Sequence, residues 1–339
     1  MKRLMCTTVG QIAWEEVEEP ALGPHDVKIR CQFGAEKHGT MTAFYKGYAN
    51  QRGAWDWENN IYREGGMMWS YPIPLGNMQY GEVVEIGPEV TTLAVGDRAF
   101  VSHHFQPVIV CPEKRVRKLG GHVSWKSGML LDPGEFAIGA VRDGHIRLGD
   151  RVAVFGLGAI GLVEVQALRA AGASLIVAID PVEKRRAVAA ESGAITLDPR
   201  GMDVGLELRN LTGGTGVDAV VDFSGSPHAL QAAFRGVGYL GTIVCGAFPP
   251  PHTVGLDFGG EAHMNRPTIV FSRACSNPNP DHPRWDWVRL QSLTAQMIDA
   301  GQLNGDSIVD DPIPYDDLLG VYSQIAAAPE QSIKLSVAY

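Results

Sequence analysis

The chain has 339 residues, 45% hydrophobic and 20% charged, a balance that supplies a packed core and excludes disorder as the ground state; at about 100–200 residues per domain the length suggests two. Twenty-nine basic against 38 acidic side chains leave a net charge of −9 without any basic block, which argues against nucleic acid or an anionic membrane as partner. No apolar run reaches the ~18 residues of a membrane span, and the Met-Lys-Arg start arrives at Glu15 and Glu16 with no apolar core of a signal peptide.

Short strands punctuated by Gly and Pro fill the first ~140 residues, as in an all-β unit: Val27–Gln32, then Gly81–Ile86, then Arg98–Ser102 after the turn at Val95-Gly96-Asp97. Between them, Tyr48 to Tyr71 carries Tyr48, Trp55, Trp57, Tyr62, Trp69 and Tyr71 with no clear period, a long loop of the kind that is often functional. From Asp150 the rhythm becomes strand, glycine turn, helix, strand. Val152–Phe155 reads as a buried parallel strand, and residues 159–171 as a helix capped by Gly172. Leu175–Ile179, a helix over Val182–Ser192, and strands Ala219–Phe223, Thr242–Cys245 and Thr268–Ser272 continue the pattern. Trp285–Ala300 and Tyr315–Ala326 read as later helices and Ser332–Val337 as a closing strand. The expected fold is α/β plus β, with a doubly wound parallel sheet. The five cysteines (Cys6, Cys31, Cys111, Cys245, Cys275) are scattered and form no Cys-x-x-Cys, which fits reduced thiols in a cytoplasmic protein.

Gly156-Leu157-Gly158-Ala159-Ile160-Gly161 matches G-x-G-x-x-G in its required setting, directly after a strand and opening a helix. Gly156 allows the tight turn, Gly158 the approach of a pyrophosphate, and Gly161 close packing of helix on strand. Asp180 ends the next strand, where its carboxylate can bond ribose hydroxyls and repel a 2′-phosphate; NAD is the expected cofactor.

At these residues the chain resembles the medium-chain dehydrogenase/reductase superfamily, a GroES-like catalytic domain joined to a Rossmann domain. The resemblance also runs through Pro74-Leu75-Gly76, Gly81–Gly87, Val95–Arg98, Leu131-Asp132-Pro133, Leu148–Val152, Asp218–Gly225, Val244-Cys245-Gly246 and Ile333-Lys334. It implies a catalytic domain at 1–142 and 304–339 and a nucleotide domain at 143–303. It also implies Arg185 on the adenine side, Ser224 and Gly225 along the cofactor, Cys245, Gly246 and Ala247 near the nicotinamide, and Lys334 at the pyrophosphate.

The departures from the family concern its zinc. The stretch Cys-Gly-Thr/Ser-Asp is here His38-Gly39-Thr40-Met41, the stretch Gly-His-Glu is Gly76-Asn77-Met78, and the Glu before Pro is Asp132 before Pro133. Asn is a poor zinc ligand and no thiolate remains, so the resemblance points to a zinc-free branch with no metal. His38 becomes the candidate acid/base, with Thr40 as relay on the same face of an extended segment, Asp132 orienting His38, Asn77 bonding substrate and Lys37 facing a developing oxyanion. Glu36 reads as part of a solvated turn, and His103-His104 as strand neighbours pointing to opposite faces. The expected activity is NAD-dependent oxidation of a secondary alcohol on a sugar, polyol or other ring; the alternative is NAD(P)H-dependent reduction of an activated C=C bond. A homodimer or homotetramer is expected, paired through the edge strand Thr268–Ser272.

Overall fold

The computed structural model describes residues 1–276 and 280–339 and, at His38, the backbone alone; it divides into two compact units, Met1–Met129 with Val309–Tyr339, and Leu130–Ile308. In the first unit the strand Asp26–Ala35 is the hub. It pairs antiparallel with Met78–Ile86, Val108–Pro112 and the C-terminal strand Ser336–Ala338, while Arg98–Ser102 extends the sheet from Met78–Ile86. Val27, Ile29 and Cys31 project into one core with Val83, Val101 and Ile109, as the two-residue period of a strand requires. A second core gathers Leu4, Phe44, Leu75, Phe105, Tyr322 and Val337; it holds the helices His38–Tyr45 and Leu318–Ala327.

The second unit is a six-stranded parallel sheet in the order Ile195–Leu197, Leu175–Ile179, Arg151–Phe155, Val217–Asp222, Val237–Cys245, Thr268–Phe271. The chain crosses from the third position outward in one direction and then the other, the doubly wound order that opens a crevice at the strand ends. The central strands read almost wholly apolar because helices cover both faces. Ala159–Ala171 is a helix, closed by Gly172 at φ +83°. Within it Glu164 is fully buried, neither carboxyl oxygen has a hydrogen-bond partner among the described residues, and burial holds its pKa well above the usual carboxylate range.

Three expectations change. The units divide at 129/130 and 308/309 rather than at 142/143 and 303/304. The helix Leu131–Asp143 packs on Ala159–Ala171 and Trp287–Asp299 of the second unit, so close that a Cβ on Gly134 would lie 2.5 Å from Thr294. Residues 38–45 form a helix and not an extended segment; at ~100° per residue, positions 38 and 40 stand about 200° apart and share no face. His103 and His104 follow the strand Arg98–Ser102 without belonging to it, and their rings lie 3.9 Å apart instead of on opposite faces. The edge strand ends at Phe271, which is 82% exposed. Among the described residues no helix is long and apolar enough to cross a membrane.

Candidate active site

In the second unit, four strand ends build one cradle. Gly156 leaves its strand at φ +85°, and a Cβ there would come within 2.5 Å of the Ser224 backbone nitrogen. Gly161 is tighter still, its Cβ position 2.0 Å from the Gly156 carbonyl oxygen. A Cβ on Gly158, by contrast, would meet nothing within 4 Å. The backbone at the head of the helix Ala159–Ala171 therefore faces open space with no side chain capping it, the setting in which helix N–H groups and the macrodipole hold a phosphate. Leu157, Ala159 and Ile160 complete the turn, with Leu162 N–H bonding the Gly158 carbonyl at 3.0 Å.

Asp180 closes one side. Its carboxylate accepts from Leu157 N–H (2.8 Å) and Val182 N–H (2.8 Å) and lies 3.7 Å from the Arg185 guanidinium. The glycine turn is thus pinned to the end of the next strand by Asp180. On the other side, Asp222 holds Ser224 through both its amide (2.8 Å) and its hydroxyl (2.6 Å), ahead of Gly225 at φ +63°. Gly246 N–H bonds the Asp222 carbonyl at 2.9 Å, which brings Cys245–Ala247 to the same edge. Burial pushes the Cys245 thiol up to about 11, so it is a neutral wall and not a nucleophile at neutral pH. These residues fit a dinucleotide, since the glycine turn presents bare backbone where a pyrophosphate must approach.

The catalytic candidates divide between the units. Glu36, Lys37, His38 and Thr40 follow directly on the hub strand, and its register, Ala35 opposite Met78, sets Asn77 beside them. Asn77 N–H bonds the Ala35 carbonyl at 3.1 Å, and its side-chain Nδ2 is buried with no hydrogen-bond partner among the described residues. Gly76, at φ +101°, makes the bend that places it. Lys37 stands at the residue before the helix His38–Tyr45, and Tyr48 donates to the Gly39 carbonyl at 3.3 Å. Asp132 lies in the first turn of Leu131–Asp143 and belongs to the second unit.

Lys334 belongs to the first unit. There its ammonium donates to the Glu36 carbonyl at 2.7 Å, and the side chain is 2% exposed. Sequence reasoning missed what stands beside it. Glu36 is no solvated turn residue: it is 2% exposed, and its carboxyl accepts from the Tyr322 hydroxyl. Burial raises its pKa to about 7, against the opposing pull of the Tyr322 hydrogen bond and the Lys334 charge. Nothing local signals this, because both partners lie almost 300 residues downstream.

One of the stretches that corresponds to the family's zinc site carries weak zinc donors. Asn77 offers a carboxamide and Met78 a thioether, where zinc asks for imidazole or thiolate. Cys6, Cys31 and Cys111 are buried, and burial raises the pKa of each.

Residues 23–143 match the family model for the alcohol dehydrogenase GroES-like domain, and residues 159–287 match the model for zinc-binding dehydrogenase. D-guloside 3-dehydrogenase of Escherichia coli K12 is 37% identical over 351 aligned positions, covering 100% of both chains. L-threonine 3-dehydrogenase of Pyrococcus furiosus is 26% identical, covering 87% of this chain and 86% of its own. The crystal structure of 2R,3R-butanediol dehydrogenase from Bacillus subtilis superposes with a TM-score of 0.78 at 25% identity, over 100% of this chain and 99% of that one.

Proposed function

The chain belongs to the medium-chain dehydrogenase/reductase superfamily, and from that premise we propose that it oxidises a secondary hydroxyl on a sugar or glycoside ring, using NAD and no zinc. The observation that carries this reading is the open face at Gly158, ringed by Asp180, Ser224 and Cys245–Ala247. The ring substrate follows the guloside dehydrogenase, to which the chain is similar from end to end. NAD is favoured over NADP because the buried Asp180 carboxylate sits where a 2′-phosphate would fall. Arg186 nearby is already engaged by the Asp180 carbonyl (2.7 Å) and by Asp198 (3.2 Å).

When bound, NAD supplies the hydride acceptor. The protein's own residues handle the proton and the developing charge. His38 takes the hydroxyl proton while the carbinol C–H leaves as hydride, and the C–O bond becomes a carbonyl. Asn77 and Thr40 bond the substrate hydroxyls. Lys37 faces the oxygen as its charge grows, the part that zinc plays elsewhere. Arg185 takes the adenine side of the cofactor, whereas Lys334, expected at the pyrophosphate, is buried against the Glu36 carbonyl of the first unit and is not assigned that role. The active form is a homodimer or homotetramer that pairs along Thr268–Phe271, whose exposed row of backbone groups and Phe271 are a pairing-competent edge. A panel of sugars, methyl glycosides and polyols tested with NAD and with NADP, following absorbance of the reduced cofactor, decides the reading. Turnover of a ring hydroxyl with NAD supports it; turnover only of quinones or enones in the reductive direction replaces it with the C=C reductase.

A further inference from the structure

The aromatic segment after the catalytic helix has a part that the chemistry above does not use. Ala54–Asp56 and Ile61–Arg63 form a two-stranded hairpin in which Trp55 pairs with Tyr62. Their rings meet edge to face at 4.9 Å, and Trp57 stands against Trp55 at 6.4 Å and 78°. Trp57 remains 74% exposed.

The exposure is built in, because the turn that carries Trp57 is locked. The Asp56 carboxylate accepts from Glu58 N–H (2.9 Å), Asn59 N–H (3.0 Å), Asn59 Nδ2 (3.0 Å) and Arg63 Nε (2.7 Å). A lone hairpin is marginal in water, and here its base is tied down. The Asn50 side chain donates to the Trp69 carbonyl (2.8 Å) and accepts from its N–H (3.0 Å). Tyr48, just before, bonds the Gly39 carbonyl, between His38 and Thr40.

A rigid, exposed indole with a polar rim has a definite chemical complement. The turn that carries Trp57 holds Glu58 and Asn59, and Arg63 of the paired strand is bound to the same Asp56 carboxylate, so a ligand with a flat apolar face and hydroxyls at its edge, as a pyranose has, complements the indole. The acidic and basic rim argues against a lipid surface.

We propose that the Trp55–Trp57–Tyr62 hairpin is a stacking subsite for a second ring glycosidically attached to the ring that is oxidised. The substrate class is then disaccharides and bulky glycosides, with free monosaccharides as poor substrates. This rests on the ring-hydroxyl reading for its catalytic consequence, though not for binding itself.

The test compares maltose, cellobiose and lactose with the methyl glycosides of glucose and galactose, by kcat/KM with NAD and by calorimetric binding without cofactor. The expected result is a preference of at least about tenfold for one disaccharide, ~1.4 kcal/mol. It should fall to within about twofold in Trp57→Ala and be largely kept in Trp57→Phe, with methyl glycoside rates unchanged in all three proteins. A preference that survives Trp57→Ala overturns the subsite while leaving the dehydrogenase reading intact. Disaccharide binding that depends on Trp57, without oxidation of any sugar, supports the subsite and overturns the reaction instead. No disaccharide preference in rate or binding overturns the subsite, as does dissociation of an oligomer by Trp57→Ala in sedimentation velocity with sugar affinity unchanged.

Discussion

The glycine turn at 156–161 and the segment at 36–40 both stand just beyond a strand, and each begins a helix. Only the first can be read from its own residues. Its function is backbone geometry: Gly156 has φ +85°, and Gly158 and Gly161 differ only in what a Cβ would strike, information that resides in glycine itself. The second segment works through side chains whose meaning depends on distant partners. Glu36 looks like a surface residue until Tyr322 and Lys334 close over it. Motifs made of backbone are local, whereas sites made of burial and charge are assembled by the tertiary fold.

Four measurements would break or sharpen that contrast. His38→Ala has the largest expected effect: kcat for the oxidation falls by about 10²–10⁴, as for loss of an acid/base group, while NAD affinity, made by the second unit, is unchanged. Wild-type kcat should also rise with pH through one ionisation, since only a neutral imidazole can accept the proton. If more than about a third of kcat remains, His38 is structural.

Gly156→Val comes next. The φ of +85° and the 2.5 Å approach to Ser224 leave no room for a side chain, so NAD affinity should drop by at least about a hundredfold, ~2.7 kcal/mol. Titration by quenching of intrinsic fluorescence measures it, and near-normal affinity would dissociate the turn from the cofactor.

The third concerns the segment that could not be read. The folded pKa of Glu36 is raised to about 7, above its unfolded value, so the stability it allows is fully present below the unfolded carboxylate pKa and is lost as pH rises through about 7. Glu36→Gln, which cannot ionise, should flatten the decline in Tm between pH 5 and 8 by a few degrees. An unchanged slope would mean that the carboxyl is solvated after all.

The smallest effect is the most specific. Asp180→Asn keeps the size of the side chain but removes its charge, and should cut the preference for NAD over NADP by about tenfold. An unaltered ratio in paired titrations would remove Asp180 from cofactor choice.

The legibility of the fold follows the same division. The helix at 159–171 and the strands Arg98–Ser102 and Leu175–Ile179 appear at the bounds their periodicity implies, because each is a continuous pattern ended by its own turn. The helix His38–Tyr45 was hidden by its lack of any acidic or polar N-cap signal; Lys37 precedes it and makes no side-chain cap. The helix Leu131–Asp143 was visible as chemistry, through Asp132-Pro133, but not as a member of the second unit, since that membership depends on packing against Ala159–Ala171 and Trp287–Asp299. For the site, the glycine turn and the Asp180 and Asp222 strand ends beside it were legible as local pattern, and the buried Glu36, Tyr322 and Lys334 cluster not at all.

The unpartnered carboxyl of Glu164 sets the reaction and the fold at odds. Oxidising an alcohol releases a proton, so alkaline solution drives turnover forward. Yet Glu164, with its raised pKa, is best tolerated while protonated, and the helix that carries it weakens as the medium becomes more basic. That helix also presents its N-terminus at the glycine turn, and a ligand held only by the folded state adds stability in proportion to RT ln(1 + [L]/Kd). A bound nicotinamide cofactor would therefore be reactant and scaffold together, and the empty enzyme should inactivate first under the alkaline conditions that favour oxidation.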